Sequence, residues 1–261
     1  MTKDWAVQFR RYAPTFVPAI MLTLVMAFLY GVFKKSQAVE AAFLLELMFA
    51  WTGLLVYGGI QLYSFFYAGR NVLLQLSSRS RYYTLVQLSV VFMSYLVVMY
   101  LVALPFELSR LASSQRVQLP LVVGYLLLAK VAGLAAFFAL VSLLLVLTKA
   151  IRWAGVAIAT AVGLYAALTF GLSALALDLM GLGQHHLIWT IGINTDAGVA
   201  VNAYVNALPI LISGDGLARL DQGLFMLPLG MNLAATAICL VGGFSAARKM
   251  RVNFAPRPVS G

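Results

Sequence analysis

The stretch LPLVVGYLLLAKVAGLAAFFALVSLLLVLT, residues 119–148, decides the fold, and its one charged side chain is Lys130. A helix that crosses a membrane needs about 20 consecutive, mostly apolar residues, because no water is present to satisfy an unpaired backbone group. Residues 119–148 exceed that length. The segment is therefore predicted to span a lipid bilayer as an α-helix.

Comparable runs recur along the 261 residues, and they predict an all-α, polytopic membrane protein with six transmembrane helices in a single domain, residues 1–261. The composition agrees, since 62% of the chain is hydrophobic and only 10% is charged, whereas about a quarter of a soluble domain is charged. A soluble enzyme and a disordered chain are excluded, and the single Cys239 excludes an intrachain disulfide framework. The predicted spans are residues 15–33, 41–68, 83–105, 119–148, 151–180 and 223–247.

Lysines and arginines indicate the orientation, because cytoplasmic loops carry an excess of both. If the N-terminus is cytoplasmic, twelve of the 18 basic residues lie on the cytoplasmic side and five on the opposite side. We therefore expect a multi-pass protein of the cell (inner) membrane with both termini in the cytoplasm. The net charge of +10 is then a topology signal, and no nucleic-acid partner is expected because the charges are dispersed over short loops.

Residues 1–14 are predicted to form an interfacial helix that lies in the plane of the membrane. Trp5, Phe9 and Tyr12 are spaced i, i+4 and i+7, so they share one helical face. The two prolines that follow are expected to mark the turn into the first span. An unstructured basic leader is the alternative.

A short apolar and basic segment, residues 71–82, follows the second predicted span. Its valine and leucines fall mostly on one helical face and arginines flank them, so it is too apolar for a solvated turn and too short to cross the membrane. We expect a cytoplasmic amphipathic helix that offers its apolar side to a partner; an extension of the second span is the alternative. The candidate contact residues are Val72, Leu73, Leu74, Leu76, Arg79 and Arg81.

Small residues recur at four-residue steps in the fifth predicted span. Such a row lets two helices approach each other closely. It predicts either a packing contact within the chain or a dimer seam with a second chain. The row consists of Ala159, Gly163, Ala167 and Gly171.

The connection 182–222 is predicted to form a re-entrant or outer-leaflet segment before the sixth span. Residues 194–196 read Asn-Thr-Asp, which is typical of a helix start. The apolar run 197–212 that follows is too short to cross the membrane and contains Pro209. We therefore expect a helix over 197–212 that returns to the outer side.

Three polar residues are candidates for a transport pathway and an outer gate. Asn202 and Asn206 are spaced i and i+4, so they would form a polar stripe on the outer helix. Gln61 lies inside the second predicted span, where polar side chains are few.

Three ionisable residues inside the predicted spans are Glu46, Lys130 and Asp178. With a rise of about 1.5 Å per residue, they lie roughly 28 to 39 Å from the cytoplasmic ends of their helices, and the hydrocarbon core is only about 30 Å thick. We expect all three to snorkel or pair near the outer surface, with a Glu46–Lys130 ion pair left open. A bundle without charge at its centre is not expected to couple to protons or sodium, so another subunit would supply the energy.

The sequence lacks complete catalytic motifs, so an enzyme is not expected. The sequence lacks G-x-x-x-x-G-K-[ST], so the chain is not expected to hydrolyse nucleotide or to bind a cofactor itself. His185 and His186 are adjacent, which suits a polar pair in a loop better than a metal site. Ser173 lies in Gly-Leu-Ser-Ala, which lacks the second glycine of G-x-S-x-G, so an intramembrane serine hydrolase is the least favoured alternative.

Together these features resemble the permease subunits of ABC transporters of the ABC-2 type, mainly exporters. The most specific stretch is Gly69 to Leu88, which resembles the family's coupling helix between spans two and three. Here GRN at 69–71, LLQL at 73–76 and SRSR at 78–81 keep the family's order. The family's acidic residue, threonine and proline are absent from this stretch, which leaves a non-transporting scaffold or assembly subunit as the alternative.

The resemblance implies a half-transporter driven by separately encoded ABC ATPase subunits, which would hold ATP and magnesium on the cytoplasmic side. Residues 71–82 would couple nucleotide-driven closure to the spans, and residues 1–14 would be the elbow helix. The stripe in the fifth span would be the seam with a second permease copy, and residues 182–222 would form the outer gate. An apolar pathway predicts an amphipathic or hydrophobic cargo, such as a lipid-like molecule, a peptide antibiotic or a drug.

Overall fold

In a computed structural model of the chain, the described residues form six α-helices that account for most of the protein. Outside the helices, the described part of the chain includes two strands, β1 (Val199–Val201) and β2 (Leu211–Ser213), which pair antiparallel with Val199 opposite Ser213. The helices are α1 (Thr2–Val32), α2 (Gln37–Tyr67), α3 (Arg81–Ser109), α4 (Leu119–Thr148), α5 (Ala154–Leu179) and α6 (Gln222–Lys249). The structure describes residues 2–33, 36–67, 81–109, 119–149, 151, 153–179, 199–201, 211–213 and 222–249.

Five of the helices are long and apolar enough to cross a membrane, so the chain is a multi-pass membrane protein. In α5 the apolar part, Gly155–Thr169, is shorter than a span among the described residues. The predicted fifth span at 151–180 therefore coincides with a helix, while its crossing stays a prediction. The five candidate spans are Trp5–Val32, Ala38–Tyr67, Tyr82–Pro105, Leu127–Thr148 and Leu229–Arg248.

Helix α4 is the centre of the bundle and contacts α2, α3, α5 and α6. It is apolar around its whole circumference, and a helix of that kind is buried by neighbours on every side. Leu134 and Val146, twelve residues apart on α4, are both fully buried. The stretch that predicts a membrane protein from sequence is thus also the core of the fold.

Helix α1 packs on α3 through an aromatic face. The ring of Phe16 stacks on those of Phe92 and Tyr95, with centroids 5.7 and 4.8 Å apart, and Tyr12 meets Phe92 edge-on at 4.8 Å. Nearer the N-terminus, the hydroxyl of Tyr95 donates a hydrogen bond of 2.6 Å to the carbonyl oxygen of Phe9. Aromatic pairs in these arrangements contribute about 0.5–1.5 kcal/mol each beyond the area they bury.

The predicted separate interfacial helix at 1–14 is wrong as an element, because α1 runs unbroken from Thr2 to Val32 through Pro14 and Pro18. Each proline removes one backbone hydrogen bond, but both lie on the exposed side of α1. The shared face of Trp5, Phe9 and Tyr12 is real, yet it packs into the protein core instead of lipid. Burial of that face outweighs the two lost hydrogen bonds, and membrane helices tolerate such prolines.

The predicted helix over 197–212 is also wrong where the chain is described, since β1 and β2 occupy 199–201 and 211–213. Val199, Val201 and Ile212 are β-branched and favour strands, and Pro209 cannot continue a helix. The re-entrant character of 182–222 otherwise lies outside the described residues.

The ends of α2 and α4 meet at one side of the bundle. The hydroxyl of Tyr67 donates to the carbonyl of Leu145 at 3.2 Å and lies 3.0 Å from the hydroxyl of Thr148. The two helices therefore run in the same direction and end together, next to Lys149. We call this side the Lys149 end, and the distribution of basic residues predicts that it is cytoplasmic.

Candidate functional site

The predicted coupling residues Val72, Leu73, Leu74, Leu76 and Arg79 lie outside the described residues, and Arg81 is the first residue of α3. The helix before the segment ends at the Lys149 end, where Tyr67 is bonded to α4. The segment that carries these residues is therefore joined to the described chain at the side of the bundle that the sequence predicts to be cytoplasmic.

The helices that flank residues 68–80 are each fixed to a different partner. Before the segment, Tyr67 is hydrogen-bonded to α4. After it, the hydroxyl of Tyr82 lies 3.5 Å from the carbonyl oxygen of Cys239 on α6, and its ring meets Phe244 edge-on at 4.6 Å. The described chain on either side of residues 68–80 is therefore attached to α4 and to α6.

The approach of Tyr82 to α6 depends on a glycine. A Cβ atom added at Gly243 would overlap the hydroxyl and ring atoms of Tyr82, whereas one added at Gly242 would lie 3.7 Å from Leu143, an ordinary contact. Only glycine at position 243 lets the ring lie against the helix backbone.

The predicted small-residue row on α5 faces away from the bundle. Side chains two residues off this row, Ala157, Ala161 and Tyr165, lie on the opposite face and pack against α4. No atom lies within 4 Å of a Cβ added at Gly163 or Gly171. Packing within the described chain is therefore excluded for the row, and its role as a dimer seam stays a prediction. Ala159, Gly163, Ala167 and Gly171 are all exposed.

The three predicted pathway residues are not brought together in the described part of the chain. Gln61 is half-buried on α2. Asn202 and Asn206 lie outside the described residues. Their assignment to a pathway stays a prediction.

A buried lysine is the feature that the sequence interpretation missed. Lys130 on α4 is 1% exposed, and its Nζ lies 5.0 Å from the ring centroid of Trp51 and 5.1 Å from that of Tyr100. The prediction that it snorkels to the surface is therefore wrong. The electron-rich ring faces attract the ammonium electrostatically, which keeps it inside the protein at a level about 27 Å from Thr148.

The open Glu46–Lys130 ion pair is not formed. Thr23 on α1 donates a hydrogen bond of 3.0 Å to Oε1 of Glu46 on α2, while the buried Oε2 makes no hydrogen bond. Two titratable groups thus lie in the interior of the bundle in separate surroundings. Lys130 lies over two aromatic rings, and Glu46 accepts a hydrogen bond from a threonine. Asp178 lies in α5.

A cleft of about 420 Å³ lies between α2, α4 and α5. Its lining is almost wholly apolar, and its polar groups are Thr52, Tyr63, Thr148 and Tyr165. The lining residues are Thr52, Leu55, Val56, Gly59, Ile60, Tyr63, Phe137, Val141, Leu144, Leu145, Thr148, Ala157, Ile158, Ala161, Val162 and Tyr165.

Catalytic or metal-binding constellations do not emerge from the described residues. No group of three His, Cys, Asp or Glu in that part of the chain is placed to hold a metal ion. Ser173 lies within α5, and His185 and His186 lie outside the described residues.

No protein family, curated protein or solved structure matches the chain. The chain is a multi-helix membrane protein with five candidate spans in its described part. Its functional assignment therefore depends on its own residues and their arrangement.

Proposed function

We propose that the chain is the membrane-spanning permease subunit of an ABC transporter of the ABC-2 type, with six spans and both termini in the cytoplasm. It would work with separately encoded ATPase subunits and a second permease copy, and it would export an amphipathic or hydrophobic substrate. The observation that carries the proposal is the apolar, basic segment 71–82 joined to helices that are fixed to α4 and α6.

The fixed flanks suit a mechanical role for that segment. Tyr67 connects its beginning to α4, the central helix, and Tyr82 connects its end to α6. A rigid-body push from a docked ATPase would reach the centre of the bundle through two separate contacts. Rigid-body rotation of this kind is a common way to open and close a pathway.

The exposed small-residue row supports a second permease copy. A row of alanines and glycines allows two helix backbones to approach closely within a membrane, and on α5 this row points away from its own bundle. A half-transporter needs such a surface, since its pathway would lie between two copies.

Co-purification tests the proposal. Leu73→Glu with Leu76→Glu should reduce recovery of a bound ATPase subunit by about tenfold or more, because truncating an apolar anchor of an interface costs about 2 kcal/mol. Ser77→Glu with Ser80→Glu adds the same charge to the same segment and should leave recovery unchanged. Unchanged ATPase association and transport in the leucine variant would contradict the proposal, and a partner without nucleotide-binding motifs would support the scaffold alternative.

An ion-coupled carrier is a second candidate, and the interior Lys130 and Glu46 favour it. Ionisable groups inside a membrane bundle often mark ion or proton paths. Purified chain in vesicles distinguishes the two candidates. Cargo movement driven by a pH gradient without an ATPase would support the carrier, and movement that requires the ATPase and ATP would support the permease.

A further inference from the structure

We propose that the cleft between α2, α4 and α5 binds one acyl chain of an anionic phospholipid from the leaflet at the Lys149 end. The proposal concerns lipid binding by this chain alone, so it does not depend on the ABC-transporter assignment. The evidence for it is the length of the cleft, the exposure of the residues at its opening and the positive charge of Lys149 at its end.

The cleft has the length of one leaflet. Its lining extends on α2 from Thr52 to Tyr63 and on α4 from Phe137 to Thr148. Each stretch corresponds to about 16 Å of helix, which is about half of the roughly 30 Å hydrocarbon core. The cleft therefore begins near the membrane centre and ends where α4 ends, at Thr148.

The mouth of the cleft opens toward the region where lipid chains lie. Val56 and Ile60 on α2, each 56% exposed, and Val162 on α5, 62% exposed, all line the cleft. Deeper in the cleft, Leu144 and Leu145 of α4 are buried. An alkyl chain can thus enter sideways from the bilayer and contact apolar atoms on three sides.

The volume and the lining of the cleft suit a hydrocarbon chain. The volume of about 420 Å³ falls within the range of about 300–1,000 Å³ that is typical of ligand pockets. The lining offers few hydrogen-bonding groups, so a hydrocarbon chain fits it better than water or a polar solute.

The Lys149 end of the cleft suits an anionic headgroup. Thr148 closes the lining there, and Lys149 follows it with its ammonium 4.7 Å from the ring centroid of Phe66. Trp153, 76% exposed, lies just before α5 begins, and tryptophan favours the interface at headgroup level. The cation therefore lies at the depth where a lipid phosphate would be when its chain fills the cleft.

Photocrosslinking of the full chain in nanodiscs tests the proposal. The discs would contain phosphatidylcholine and a phosphatidylglycerol that carries a diazirine in the middle of one acyl chain. We expect crosslinks concentrated in residues 52–63, 137–148 and 157–165. Crosslinks spread equally over α1 and α6, or no crosslinks at these three ranges, would overturn the proposal.

Two matched glycine variants test whether filling the cleft prevents lipid binding. One adds a side chain inside the cleft, and the other adds the same side chain outside it. Gly59 lines the cleft and Gly53 does not, and no atom lies within 4 Å of a Cβ added at either position. Gly59→Leu should lower the crosslink yield in the cleft by about tenfold, since it displaces several methylene groups that each contribute about 0.8 kcal/mol. Gly53→Leu should leave the yield unchanged, and equal yields in both variants would overturn the proposal.

The headgroup is tested separately by Lys149→Gln. This variant should lower the preference for phosphatidylglycerol over phosphatidylcholine about threefold to tenfold, as expected for one basic residue near an anionic lipid. Chain crosslinks with a diazirine-bearing phosphatidylcholine should persist. An unchanged preference would overturn the choice of an anionic lipid.

Discussion

At the scale of single residues, the most informative side chain is Lys130. A cation over the faces of two aromatic rings gains about 2 kcal/mol or more when it is shielded from water. Its position on a stretch of 30 otherwise uncharged residues is visible in the sequence. The rings of Trp51 and Tyr100 are not, because they come from two other helices.

A double-mutant cycle measures that contact. Trp51→Leu should destabilise the protein with Lys130 present by about 1–2 kcal/mol more than it does in a Lys130→Met background, because the ammonium then loses a ring face. Thermal unfolding of the four proteins in one detergent gives the coupling. Additive changes within about 0.5 kcal/mol would contradict it.

Gly243 allows a second residue-scale prediction. Gly243→Ala should destabilise the protein by about 1–3 kcal/mol, because the added methyl group overlaps Tyr82. Gly242→Ala is the matched control and should be neutral or stabilising, since alanine is favoured over glycine in a helix by about 1 kcal/mol. The comparison is made by thermal unfolding, and equal effects at both positions would contradict the contact.

At the scale of elements, the extents of the helices could be predicted from sequence, because long apolar runs leave the backbone no other way to satisfy its hydrogen bonds in lipid. The prediction 119–148 coincides with α4, and 223–247 lies within α6. The continuity of α1 through Pro14 and Pro18 could not be predicted, since it depends on burial of its aromatic face against α3. The cleft was missed for the same reason, because it arises only from the pairing of three helices.

Helix α1 allows a prediction of its own. Pro14→Ala with Pro18→Ala should raise the temperature of thermal unfolding, because both positions are exposed and alanine restores two backbone hydrogen bonds without changing a contact. If α1 instead needed a bend at these prolines, straightening it would disturb the packing of Tyr12 and Phe16 and lower that temperature. Ala6→Ser, on the exposed side of the same helix, is the control and should leave the unfolding temperature unchanged.

At the scale of the whole molecule, helix α5 is the open side of the bundle. It packs against α4 through one face and exposes the opposite one. The sequence identifies the small-residue row but not its direction, because the same spacing serves packing within a chain and packing between chains.

Self-association through that face is directly measurable. Gly163→Leu should convert a dimer into a monomer, because a bulky side chain separates the helices, while the fold persists since no atom lies within 4 Å of the added Cβ. Gly230→Leu, at an equally open glycine on α6, should keep the dimer. Light scattering of the detergent-solubilised proteins reports the mass, and a dimer that survives Gly163→Leu would contradict the seam.

The enclosed lysine also has a consequence for biogenesis. Trp51 and Tyr100 belong to α2 and α3, so both rings are synthesised before Lys130 leaves the ribosome. A lysine in an inserting helix costs about 2.5–3.5 kcal/mol at the translocon when it lies at the helix centre, and less toward the end of the span, where Lys130 lies. Since both rings precede it in translation, the charge can be enclosed by α2 and α3 as α4 enters the bilayer, and a chain that delivered α4 first would have to insert the same lysine directly into lipid.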